Sequence, residues 1–257
     1  LKYTKNIAIK KEPDIKLNKL GFRGPAFTQE PGPNTYRIFT VGGSTMISGN
    51  NLDDETIPHH LQDIFDSYDL GVKIEVINMG MSGGWSGSET AMIKNMIVDF
   101  EPDLFLVFDG WNDHSRKILN KGDSNEKTWR DNWIELCKFG EKNDFETIVT
   151  LQPLVGTGKR ILTDQESVIL MDTWPNFMNT YLLYANELDE IGKYCTNVKD
   201  LRTAYDFVPH AIFFDEGHKN SKGNEIIAKE FFELSLPLIL EKFDISYNVK
   251  DKNLTNV

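Results

Sequence analysis

Ser44, Asp215 and His218 are the residues of this sequence best placed to do chemistry, and each stands in a run of small or polar residues. Asp215 and His218 lie three positions apart in Asp215-Glu216-Gly217-His218, close enough for the carboxylate to hydrogen-bond the imidazole. That contact fixes the tautomer and leaves the other ring nitrogen free to act as a base. Ser44 stands in Gly42-Gly43-Ser44-Thr45, where small residues let the chain turn tightly and present a hydroxyl. Read alone, the same run is equally a flexible turn with a helix-capping serine. Two further blocks supply hydrogen-bond donors. Gly83 sits in Asn78-Met79-Gly80-Met81-Ser82-Gly83-Gly84, whose glycines allow close backbone approach to a ligand. Asn112 sits in Asp109-Gly110-Trp111-Asn112-Asp113-His114, where its amide N–H can face the same cleft or form an ordinary turn contact.

The elements that must position these residues follow from the hydropathy pattern. Short β-rich runs at 36–41, 73–79, 103–108, 146–151 and 197–201 alternate with stretches of helical period at 53–68, 88–99, 127–142, 181–194 and 224–243. Strand and helix alternating five times predict parallel strands joined by right-handed crossovers. The expected fold is α/β, a three-layer α/β/α sandwich with a mainly parallel five-stranded sheet. Ligand sites in such sheets lie beyond the carboxyl ends of the strands. Three of the four blocks directly follow a predicted strand. The domain reading is an N-terminal extension over 1–35, a catalytic domain over 36–244 and a polar tail over 245–257.

Taken in order, the blocks resemble those of the SGNH, or GDSL-like, hydrolase superfamily, whose four letters match Ser44, Gly83, Asn112 and His218. The resemblance covers about 36–240, and Leu20-Gly21-Phe22-Arg23-Gly24 is similar to a stretch that precedes the first block in one branch of the family. Two departures stand out: Gly43 replaces the Asp of Gly-Asp-Ser, and Lys219 follows the histidine where Pro is frequent. The resemblance implies a flavodoxin-like SGNH fold and a serine esterase without metal or organic cofactor. Ser44 would attack an ester carbonyl, His218 would take its proton, and Asp215 would orient the imidazolium. The backbone N–H groups of Ser44 and Gly83, with the Asn112 side chain, would form the oxyanion hole. Short-chain acyl esters, O-acetylated sugars and lactones are the expected substrates. An acyltransferase using the same acyl-enzyme and a silent carbohydrate-binding relative are the alternatives.

Other features compete for attention. Gly80 to Gly84 also fits the G-x-S-x-G nucleophile elbow, with Ser82 as nucleophile, but that pattern normally places its acid and histidine on separate loops. Trp85 and Trp111 are candidates for an apolar wall around the substrate. Gly156-Thr157-Gly158-Lys159-Arg160 lacks the full phosphate-loop pattern and is read as a mobile loop beside the substrate. His59 and His60 are adjacent on a predicted helix, so they point apart and do not suggest a metal pair. Cys137 and Cys195 have no metal-ligand spacing and are expected to be buried free thiols, with a bridge left open.

The 257 residues carry a net charge of −11. Residues 1–24 hold seven basic and two acidic side chains, a net of +5, which leaves −16 on the remainder. Such an acidic body excludes a protein whose main partner is nucleic acid and favours neutral esters. The sequence shows neither a signal peptide nor an apolar run near the ~18 residues of a membrane span, so a soluble chain is expected as given. Membrane contact is expected only if an anchor lies upstream of Leu1. The basic arm is expected to lie against the acidic body. Asn253-Leu254-Thr255 fits a glycosylation sequon.

Overall fold

A computed structural model describes residues 15–119, 121–122, 124–171 and 177–246. The arm before residue 15 and the tail from residue 247, with its sequon, lie outside the described residues. Five strands form one sheet: β1 (Thr35–Gly42), β2 (Lys73–Gly80), β3 (Leu104–Asp109), β4 (Glu146–Leu151) and β5 (Asn197–Asp200). Their order is β2-β1-β3-β4-β5, and every pairing is parallel.

The side-chain alternation of a strand divides the core between two faces. Phe39, Phe105, Val107 and Val149 face one way, against α5 (Glu126–Gly140), α7 (Phe177–Asn186) and α8 (Leu188–Ile191). Ile38, Leu104, Leu106, Phe108 and Ile148 face the other, against α2 (Ile57–Asp66) and α9 (Ser221–Lys242). The three-layer sandwich expected from the pattern is therefore the fold. Burial on both faces explains why β3 reads as a continuous apolar run.

Strand β1 lies between β2 and β3, so successive crossovers leave it in opposite directions. That reversal opens a crevice at the carboxyl ends of the strands. The register makes the ends level, with Gly42 paired to both Gly80 and Phe108. Ser44, Gly83 and Asn112 consequently leave the sheet at one edge.

The helices depart from the sequence pattern at their ends, for local reasons. Thr56 caps α2 by accepting from His59 N, so α2 begins only after a 3₁₀ turn at Asp53–Glu55. Helix α3 (Ser86–Met92) winds on into a π-helical segment, Ile93–Ile97. Three helices among the described residues were not foreseen, α1 (Ser44–Ile47), α4 (Trp111–Ile118) and α6 (Asp164–Met171); α4 is mostly polar and gives little apolar signal. The cysteine expectation is corrected. Packing of α5 against α8 brings Cys137 and Cys195 to a Cα separation of 5.0 Å, and they form a disulfide.

The described part of the N-terminal extension packs on the sheet. Phe22 and Phe27 pack against Phe39 and Phe100, and Arg23 is buried beside the first turn after β1.

Candidate active site

Beyond β1, Ser44 opens a four-residue helix, α1 (Ser44–Ile47). At a first helical position its N–H has no acceptor within the helix and points outward. A Cβ at Gly43 would fall 2.2 Å from the Asn112 Nδ2 atom, so a larger residue there would have to displace the Asn112 amide. Arg23 braces the far end of α1. Its guanidinium donates to the carbonyls of Ile47 (2.6 Å), Ser48 (2.7 Å) and Asn51 (2.7 Å), and pairs with Asp53 at 2.8 Å. The sequence placed Arg23 in a family-like stretch but gave it no role.

Beyond β2, Gly83 takes a left-handed φ of +73°, which favours glycine and turns the chain toward α3. Asn112 is the second residue of α4 rather than part of a free turn. Its Nδ2 donates to the Gly84 carbonyl, tying the third block to the second. A primary amide has two hydrogens, so one remains for a ligand. Beneath this contact Asp113 accepts from Ser86 N (2.9 Å), Ser86 Oγ (2.6 Å) and Ser124 Oγ (3.1 Å), which joins the starts of α3 and α4. Asp109 and Glu89 are buried nearby, and Trp129 donates to Asp109 at 3.1 Å. Burial raises the pKa of all three carboxyls, and the charge of Asp113 adds to the effect on Asp109 and Glu89. Their burial went unnoticed in the sequence: helix periodicity treats acids such as Glu89 and Asp113 as solvent-facing, and Asp109 closes a strand where a polar turn is expected.

The Asp/His block is the tip of a hairpin-like loop between Ile212 and Asn220. An antiparallel bridge between Phe213 and Lys219 closes it, and Asn220 then caps α9 through Gly223 N. Asp215 Oδ2 lies 2.7 Å from His218 Nδ1, while Asp215 Oδ1 accepts from His218 N (2.7 Å) and Gly217 N (3.0 Å). Burial works to raise the Asp215 pKa, but the His218 side chain and the two backbone donors outweigh it and hold the carboxyl below its usual value. The tautomer with hydrogen on Nδ1 satisfies this carboxylate and leaves Nε2 as acceptor. Among the described residues Nε2 has no partner. The imidazole meets the ring of Trp111, the residue before Asn112, edge to face at 5.4 Å.

No family model matches the chain, and no curated protein matches it. Solved structures do. Axe2, an acetylxylan esterase from Geobacillus stearothermophilus, superposes with a TM-score of 0.62 at 14% identity, over 83% of this chain and 95% of that one. The acetyl xylan esterase AlAXEase gives 0.58 at 15% identity, over 77% of this chain and 98% of that one. LAE5, an alpha/beta hydrolase enzyme from the metagenome of Lake Arreo, Spain, gives 0.58 at 16%, over 79% and 96%. The chain has the fold of these esterases.

Within that fold the remaining sequence candidates fall into place. Trp111 packs against Gly217, where a Cβ would meet its ring at 2.3 Å, so it supports the histidine loop. Trp85 is half-buried, with the Arg116 guanidinium 4.3 Å from its ring centroid. Ser82 is exposed on the turn before Gly83. His59 and His60 turn to different partners, Asp63 and Ser221, and no cluster of metal-ligating side chains occurs among the described residues. The segment from Gly156 to Arg160, expected to be mobile, is pinned: Lys159 N donates to Asp206, and Arg160 pairs with buried Glu166. Among the described residues no helix is long and apolar enough to cross a membrane.

Proposed function

We propose that the chain is a serine esterase that hydrolyses carboxylic esters through an acyl-enzyme on Ser44. One observation carries the reading: Asp215 holds the His218 Nδ1 at 2.7 Å, on a loop whose imidazole meets the ring of Trp111, the residue next to Asn112 in the chain. In this reading His218 Nε2 takes the Ser44 proton as Oγ attacks the ester carbonyl, and returns it to the leaving alcohol. Water, activated by the same nitrogen, then releases the acid and restores the serine. The negative oxygen of each tetrahedral intermediate faces the Ser44 and Gly83 N–H groups and the second Asn112 amide hydrogen. No step calls for a metal or organic cofactor.

The acetylxylan esterases of like fold support a carbohydrate or other small-molecule ester as substrate, with acetylated sugars first to try. The disulfide supports an oxidising compartment. In this reading residues 1–35 are an N-terminal extension of a catalytic domain over 36–244, followed by a tail over 245–257. The test is a panel of p-nitrophenyl esters of rising chain length run beside acetylated saccharides, with and without a polyol acceptor. Free acid as the main product supports hydrolysis; dominant transfer to the polyol in water replaces it with an acyltransferase. In the same assays Asn112→Ala should lower kcat by about 10²–10³ and leave KM nearly unchanged.

A further inference from the structure

Lys219, next to the histidine, is a buried cation whose charge meets no carboxylate at ion-pair distance among the described residues. The residue is 2% exposed. Its Nζ donates to the Gly217 carbonyl at 2.8 Å and stands 4.5 Å from the centroid of the Phe108 ring. The stem packs on Gly223 of α9, and the Lys219 carbonyl accepts from Asn51 Nδ2 at 2.8 Å. Phe108, Gly223 and Asn51 are uncharged. Asp215 is the charged group that acts on the ammonium. A dry ammonium with one neutral acceptor is costly, and an apolar side chain of similar length would fill the slot without that cost.

The peptide between Gly217 and His218 gives the cost a use. Its carbonyl accepts from Lys219 Nζ, and its N–H donates to Asp215 Oδ1 at 2.7 Å. One peptide group thus connects ammonium to carboxylate, each polarising it in the same sense, and hydrogen bonds in such a chain strengthen one another. The carboxylate so held is the one that orients His218.

We propose that Lys219 is a positioning residue of the hydrolytic site, clamping the Gly217–His218 peptide and placing positive charge behind the Asp215–His218 pair. This rests on the serine esterase reading. Burial pushes the Lys219 ammonium down to about 7, against the opposing pull of Asp215, so the charge is present on the acid side of neutrality and lost above it. The charge that polarises the clamped peptide is present only on that acid side. The contribution of Lys219 should therefore be largest at acid pH.

The experiment follows the rate at which a fluorophosphonate labels Ser44 between pH 5.5 and 9.5 in wild type, Lys219→Met and Lys219→Gln. The probe reads the nucleophile and its base whatever the natural ester is. Lys219→Met should label about tenfold more slowly than wild type at pH 6 and within about threefold at pH 9, while melting at or above the wild-type temperature. Lys219→Gln keeps a hydrogen-bond donor without charge, and should approach wild type at pH 9 yet stay slow at pH 6. A pH-independent ratio, a Gln variant equal to wild type at pH 6, or loss of rate in step with loss of stability overturns the role. Should Lys219→Met not fold, the Gln profile decides alone. A wild type that takes no label on Ser44 overturns the esterase reading itself, and this role with it.

Discussion

Two buried cations flank the Ser44 turn, and they are treated oppositely. Arg23 is 4% exposed and satisfied by three carbonyls and the Asp53 carboxylate. Lys219 is buried as deeply and has one carbonyl and one aromatic face. Asn51 touches both, since its carbonyl accepts from Arg23 and its amide donates to the Lys219 carbonyl. A guanidinium's planar fork can serve several fixed acceptors at once, and a burial so well paid in hydrogen bonds is a stability device. An ammonium left without a counter-ion is a stability defect, and defects of this kind gather at functional sites. Arg23 holds the serine's helix; Lys219 adjusts the histidine's loop.

Removing each cation tests the contrast. Arg23→Ala should give the largest loss, about 4–5 kcal/mol of stability by urea unfolding, because the carbonyls of Ile47, Ser48 and Asn51 lose their donor. Activity should fall with it as α1 loosens. Equal melting temperatures for Arg23→Ala and wild type would erase the distinction. Lys219→Met should move stability the other way. In the folded chain the Lys219 pKa lies near 7, below its unfolded value of about 10.4, so the unfolded chain binds more protons between those limits. Wild-type stability therefore rises with pH across that window relative to the Met variant. Below pH 7 the variant should be more stable by roughly 4–5 kcal/mol, and the gap should close by about pH 10. A constant gap contradicts the assignment. Asn51→Ala should be mildest, about 1 kcal/mol, because only the side-chain bond to the Lys219 loop is removed.

The sequence made the sheet legible because β1, β3 and β4 are short apolar runs bounded by polar turns, and burial on both faces leaves no other reading. The candidate site was legible for a related reason. A catalytic loop at a strand end must be built from glycine and small polar residues, so Gly42 to Thr45 and Asn78 to Gly84 stand out against their strands. What stayed hidden depends on contacts across the chain. Arg23, Lys219, Glu89 and Asp113 read as ordinary charged residues, and only the fold buries them. Helix α4 was missed because its site-facing polar residues dilute its apolar stripe. The disulfide required two helices to be packed side by side before the cysteines could be seen to meet.

The central claim is that Ser44, and not Ser82 in the competing G-x-S-x-G run, is the nucleophile. The most direct measurement treats wild type, Ser44→Ala and Ser82→Ala with a fluorophosphonate, locates the adduct by peptide mass and follows p-nitrophenyl acetate hydrolysis alongside. The account predicts an adduct on Ser44 in wild type and Ser82→Ala, both active, with no adduct and activity lower by at least ~10³ in Ser44→Ala. Retained turnover and labelling in Ser44→Ala, or an adduct on Ser82, contradicts it.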